Sequence, residues 1–337
     1  MASSLVAMMA GCWNPPADHV GVWSEFLPLD DVCAELPSLA SRDFELYLAI
    51  TPAMLDDPLA RILRDAEVAG VPVRLWLELP DDGVWLNETN VAAFDAFSRT
   101  TLDWIDANGV DVDWLIFDIE PAFSYAEELT SALVADGVFG VLDLLEARRD
   151  ADQYAASVEG VRRIVDTVHE RGRRAMAVTL PWVTSDAEDG DSDLQDIFDT
   201  PVSSVEWDAV SIILYRSSLS ELLGVSLSPG FVYDYARLVR SVHGADVEVA
   251  IGTISTPGLI TSQGYTDPAD LWLDLMAARS AGIRNISVYS LDGMLTTRDV
   301  DAWLDIARGP SVPLPITDPF SGLTPLLFDG LDSLADN

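Results

Sequence analysis

Eight short β-rich runs alternate with amphipathic helical stretches over about 290 residues, and this alternation constrains the fold more than any other feature of the chain. The runs lie at residues 19–26 (HVGVWSEF), 44–51 (FELYLAIT), 71–79 (VPVRLWLEL), 112–119 (VDWLIFDI), 175–181, 209–215, 246–253 and 285–291. Helical patterns fill the gaps at 56–69, 91–108, 155–171, 232–243 and 267–282. Gly70, Gly109, Gly172, Gly244 and Gly282 stand where a glycine commonly closes a helix before the next strand. Parallel strands need a crossover between them, and a helix supplies it. The count and length therefore predict an α/β fold, a (β/α)8 TIM barrel in a single domain. A doubly wound open sheet competes, but no GxGxxG or GxxxxGK[ST] loop follows the first strand. The barrel is expected over residues 19–308, preceded by an N-terminal segment and linker (1–18) and followed by a Pro/Gly-rich tail (309–337). Long loops are expected after the fourth strand (121–152) and the fifth (184–201), on the barrel face where binding sites are built.

Composition narrows the partners. The formal net charge is −37, and all 19 basic residues are Arg. So negative a surface repels nucleic-acid phosphates and anionic lipid headgroups, which argues against a polynucleotide partner or polybasic membrane docking. Two cysteines, Cys12 and Cys33, make no disulfide framework or cysteine zinc site. His19, His169 and His243 are far apart, and there is no HExxH and no GxSxG, so a histidine metal centre and a Ser-His-Asp hydrolase both lack support. No cofactor is implied.

The segment Asp113-Trp114-Leu115-Ile116-Phe117-Asp118-Ile119-Glu120-Pro121 carries the chemistry. Alternation along a strand turns Leu115, Phe117 and Ile119 toward the covering helices, and Asp118 and Glu120 into the barrel mouth, roughly 7 Å apart. Two inward carboxylates at a strand's C-terminal end are costly to bury, and their repulsion is expected to raise the pKa of one of them. The competing reading is a structural ion pair with an inward Arg, Arg74 or Arg216. By the same parity Arg74, Trp76 and Glu78 point inward from the third strand; Glu78 is either a further site carboxylate or half of a bracing Arg74–Glu78 pair. Trp23, Trp76, Trp182 and Tyr289 fall at or near strand ends, where flat rings can stack on sugar faces. Asp118, Glu120, Glu78 and Asp292 are also the acids a carboxylate-bound metal would use, with no histidine among them.

This segment resembles the DxxDxDxE signature of glycoside hydrolase family eighteen, the chitinases and endo-β-N-acetylglucosaminidases. Asp113, Asp118 and Glu120 match, and Ile116 stands where the family has its second Asp. Leu214-Tyr215-Arg216 is similar to the family's Met-x-Tyr-Asp, and Tyr289-Ser290-Leu291-Asp292-Gly293 to its Trp-Ser-Leu-Asp-Gly. The resemblance implies a barrel that cleaves N-acetylhexosamine glycans, chitin- or peptidoglycan-like, by substrate assistance. Glu120 would be the general acid, Asp118 would hold the acetamide N–H and stabilise the oxazolinium, and Tyr215 would hydrogen-bond the acetamide oxygen. Trp182, Tyr289, Trp76, Trp23, Glu78, Arg216 and Asp292 would make up the substrate-binding set, with Arg216 either bracing Asp118 or gripping an acidic sugar. The seventh strand ends Ile251-Gly252-Thr253, without the second Glu of two-Glu retaining barrels. Ile116 cannot share a proton with Asp118, which motivates an alternative: a non-catalytic glycan-binding lipoprotein. A muramidase similar to glycoside hydrolase family twenty-five is a third reading.

Residues 1–12 (MASSLVAMMAGC) resemble the end of a bacterial lipoprotein signal, with Cys12 as the lipidation site, although no basic residue precedes the apolar stretch. That likeness implies an extracytoplasmic, lipid-anchored protein whose membrane attachment runs only through Cys12; the alternative is a cytoplasmic protein.

Overall fold

A computed structural model describes residues 19–309, apart from 81–82, 123, 126–127, 129–130, 132–143, 145–146, 224–225, 256–263 and 298. Cys12 and the proposed tail beyond Gly309 lie outside the described residues, as does most of the segment expected as a loop after the fourth strand.

The eight expected strands form and close on one another: β1 (His19–Ser24), β2 (Glu45–Ile50), β3 (Val73–Leu77), β4 (Trp114–Ile119), β5 (Arg174–Thr179), β6 (Ala209–Ile213), β7 (Glu248–Gly252) and β8 (Asn285–Tyr289). Each pairs in parallel with its sequence neighbours, and β8 returns to β1, giving a closed (β/α)8 barrel. Helices α1 (Leu29–Ala40), α2 (Asp57–Ala69), α3 (Val91–Asn108) and α4 (Ala151–Glu170) make the first crossovers. The segment expected as a loop after β5 instead carries two short helices, α5 (Trp182–Asp189) and α6 (Asp193–Ile197), held together where the Asp186 carboxylate accepts N–H bonds from Leu194 and Gln195. The second half adds α7 (Arg216–Leu223), α8 (Pro229–His243), α9 (Pro268–Ser280), α10 (Leu291–Thr297) and α11 (Val300–Arg308).

Local sequence explains these elements. In α2 the Asp56 side chain accepts the Leu59 N–H at 3.1 Å, Pro58 occupies the first turn, and Gly70 ends the helix at φ 78°, a left-handed conformation that costs glycine nothing. The buried face of α2 is Leu59, Ala60, Ile62, Leu63 and Ala66, at helical spacing.

The two-residue period of the strands sorts side chains into two cores. Outward residues such as Leu115, Phe117 and Ile119 join the large cluster between sheet and helices. Inward residues, among them Trp23, Tyr47, Trp76, Ile116, Met176, Val178, Ile213 and Ala250, fill the barrel itself. Along these inward columns the barrel changes character from its N-terminal floor to its C-terminal mouth.

At the floor every acid has a partner. Arg74 pairs with Glu45 at 2.5 Å and lies over the rings of Tyr47 and Trp114, 4.9 and 4.4 Å from their centroids. Tyr47 donates to Glu248 at 2.7 Å, and Ser211 donates to the other oxygen of Glu248 at 3.0 Å. This corrects the expected Arg74–Glu78 brace. Four residues of β-strand separate Arg74 from Glu78, about 13 Å of rise, so the guanidinium serves the floor and cannot reach the mouth.

Candidate active site

The inward columns end at the C-terminal face in a ring of acids and phenols. Asp118 is the last inward residue of β4 and is 5% exposed; Glu120 lies just beyond the strand and is partly exposed. The two share a side-chain hydrogen bond, and Asp118 Oδ1 has no partner. Burial and the adjoining Glu120 hold the Asp118 carboxyl well above its usual range. Burial likewise pushes Glu120 up to about 7, against the opposing effect of its hydrogen bond with Asp118. Near neutral pH the pair therefore carries one shared proton, the state a general acid needs.

Around the same mouth lie Glu78, just past β3, the strand beside β4, and Glu25, just past β1. They share a hydrogen bond with each other. Burial, chiefly, raises Glu25 to about 7 and Glu78 to about 9, and Asp292 adds repulsion to both. Glu78 is 8% exposed, and its Oε1 has no partner. The Tyr289 hydroxyl donates to Glu25. Asp292, at the start of α10, accepts the Phe26 N–H at 2.6 Å and the Glu25 N–H at 3.2 Å, tying the loop after β1 to the end of β8.

Tyr215 follows β6 and stacks on Tyr289 with ring centroids 5.5 Å apart and planes 28° from parallel. Its seat exists because residue 252 is glycine: a Cβ there would lie 3.1 Å from the Tyr215 ring and 2.9 Å from the Tyr289 carbonyl oxygen. Burial and the charges of Asp118, Glu120 and Glu25 keep the Tyr215 phenol protonated, so it acts as a donor. One layer below the acids, Trp23 and Trp76 meet edge to face at 5.1 Å, and neither indole N–H has a partner.

The fold thus gathers Glu120, Asp118, Tyr215, Tyr289, Glu78 and Asp292 at one mouth, with Trp23 and Trp76 beneath. Ile116, where the resemblance expects an Asp, is fully buried below Asp118 in the inner hydrocarbon cluster.

Two expected binding residues are engaged elsewhere. Arg216 grips Asp274 on α9 through Nε at 2.8 and 2.9 Å and donates to the Leu227 carbonyl, so it neither braces Asp118 nor faces the mouth. The strand ends before Arg216 and the chain turns into α7 there, which breaks the parity that Tyr215 still follows. Trp182 stacks on Phe198 with centroids 4.3 Å apart and donates to Thr200 Oγ1, in a satellite cluster with Leu194 and Ile197. With Arg74 committed to Glu45 and Arg216 to Asp274, the reading of Asp118 and Glu120 as partners of either Arg is corrected.

Glu25 was missed in the sequence although a signal was present: it lies two residues beyond the inward Trp23, on the same column. Among the described residues no three His, Cys, Asp or Glu side chains converge as metal ligands.

No protein-family model matches the chain, and no curated protein matches its sequence. Solved structures do. A GH18 chitinase from Pseudoalteromonas aurantia is 8% identical with a TM-score of 0.50, over 86% of this chain and 98% of that one. The spore cortex-lytic enzyme SleL of Bacillus cereus is 10% identical with a TM-score of 0.51, over 88% of this chain and 75% of that one. At these identities the likeness establishes the shared barrel fold.

Proposed function

We propose that the protein is a glycoside hydrolase that cleaves N-acetylhexosamine-containing glycans by substrate assistance. The observation that carries this reading is the Asp118–Glu120 pair, two hydrogen-bonded carboxyls at the mouth of the barrel with burial holding Glu120 near 7. In this mechanism Glu120 protonates the bridging oxygen as the glycosidic bond breaks. The acetamide carbonyl oxygen of the substrate attacks the anomeric carbon and forms a cyclic oxazolinium. The unpartnered Asp118 Oδ1 accepts the acetamide N–H, which draws the shared proton onto Glu120 before cleavage. Tyr215 donates to the acetamide oxygen and orients it for attack. Glu120, now ionised, takes a proton from the water that opens the oxazolinium, and the anomeric configuration is retained. The absence of a second Glu at the end of β7 fits a reaction in which the substrate supplies the nucleophile. The names of the two similar structures, a chitinase and a cortex-lytic enzyme, agree with a glycan substrate.

Ile116 favours a second reading, a glycan-binding protein without turnover. With hydrocarbon beneath it, Asp118 has no deeper carboxyl to take its proton. One assay separates the readings: incubation with chitooligosaccharides and peptidoglycan fragments, alongside Glu120→Gln. Turnover that disappears in the variant supports the hydrolase. Binding without turnover in either form supports the binding protein. Release of reducing muramic acid, rather than glucosamine, supports the muramidase. The same proposal places the protein outside the cytoplasm, held by a lipid on Cys12; detergent-phase partitioning that Cys12→Ser does not abolish would overturn that placement.

A further inference from the structure

The mouth holds more acid than this reaction uses. Glu25 and Glu78 lie beside the catalytic pair, and among the described residues the groups acting most strongly on them are Tyr289, Asp292, Glu120 and each other, none of them basic. The one inward Arg on β3, Arg74, is spent on Glu45 at the floor. The two acids follow Trp23 and Trp76 by two residues on the same inward columns, one layer nearer the mouth than that aromatic pair.

The buried polar atoms left without partners narrow the ligand. On the β1, β3 and β4 inward columns they include two acceptors, Glu78 Oε1 and Asp118 Oδ1, and two donors, the indole nitrogens of Trp23 and Trp76, which are 2% and 3% exposed. A bare metal cation would satisfy the acceptors and leave the donors stranded. A sugar bearing an ammonium group offers both kinds of partner: its charge meets the acids, and its hydroxyls can accept from the N–H groups.

We propose that Glu25 and Glu78, over Trp23 and Trp76, form a subsite for a protonated amino sugar, making the preferred substrate a partially deacetylated glycan. This deepens the hydrolase reading and rests on it for the cleavage step. A 2-position carries either an acetamide or a free amine, so the ammonium belongs to a different ring from the one whose acetamide Asp118 holds. Burial keeps protons on both acids in the empty site, and the arriving ammonium displaces one of them.

The test is calorimetric titration of the full-length Glu120→Gln protein at pH 6 with two β-1,4-linked tetrasaccharides, one fully N-acetylated and one with a single free amine. The free-amine oligosaccharide is expected to bind about tenfold or more tightly, the fold-change of a charge-assisted contact. Its heat is expected to vary with buffer, reporting proton release, and its advantage to shrink in high salt. Adding Glu78→Gln or, in a separate protein, Glu25→Gln is expected to remove the preference. Equal affinities, or a preference that persists in both variants, would overturn the subsite and leave hydrolysis of acetylated glycans standing. A preference in the absence of wild-type turnover on either oligosaccharide would remove the hydrolase reading and keep the subsite.

Discussion

The floor and the mouth of this barrel are built from the same inward columns and treat acidic residues in opposite ways. At the floor Glu45 lies against Arg74, and Glu248 accepts from both Tyr47 and Ser211. At the mouth Glu25, Glu78, Asp118 and Glu120 have each other, Tyr289 and, among the described residues, no cation. A buried carboxylate with a cation or two hydroxyl donors can stay ionised and brace the strands. A buried carboxyl that meets mostly other carboxyls keeps its proton. The floor therefore serves the fold, and the mouth stores protons.

Breaking each region should separate these roles. Glu120→Gln is expected to lower turnover by about 10²- to 10⁴-fold, the range for losing a general acid, while the melting temperature stays within about 2 °C of the parent. A variant that keeps its activity would remove Glu120 from the chemistry. Arg74→Met leaves Glu45 only its exposed partner His19, and is expected to cost about 2–3 kcal/mol of stability, measured by urea unfolding. A loss below about 1 kcal/mol would show that floor and mouth differ less than their geometry implies. On the proposed mechanism Tyr215→Phe would remove one donor to the acetamide, and it is expected to reduce kcat/KM by roughly 10- to 100-fold with little change in stability.

Acidity sharpens the contrast further. The pair keeps its shared proton above the Glu120 value of about 7, because Asp118 is held well above its usual range, so kcat/KM is expected to hold through neutral pH and to fall about tenfold per pH unit only once that last proton is lost. Stability should move in the same direction. The folded-state values of Glu25, Glu120 and Glu78 are raised from 4.5 to about 7, 7 and 9, so the native protein binds more protons than the unfolded chain between those limits. Their contribution is complete below about 4.5 and is lost as pH rises toward 9, and the melting temperature is expected to drop by about 5 °C from pH 5 to pH 9. A flat or rising profile would mean that the mouth acids ionise freely.

Most of the mouth was legible along the strands. A two-residue period needs no tertiary information, so Trp76 and Glu78, Asp118 and Glu120, and Tyr215 all emerge on the inward side. The reading failed where the strand ended and the period lapsed. Arg216 swings to Asp274 at the start of α7, and Trp182 turns to Phe198 at the start of α5. Glu25 went unnoticed because its strand carries no recognisable motif, although its column was already marked by Trp23.

Composition and periodicity alone determined the barrel and the placement of Asp118 and Glu120 on its inner side, because these depend on local alternation and on which residues exist in the chain. Which acids meet a cation and which meet only one another was decided by closure of the sheet. Closure brings β1, β2, β3 and β4 around one axis, setting Glu45 against Arg74 at the floor and Glu25 against Glu78 at the mouth, and no distance along the sequence contains those meetings.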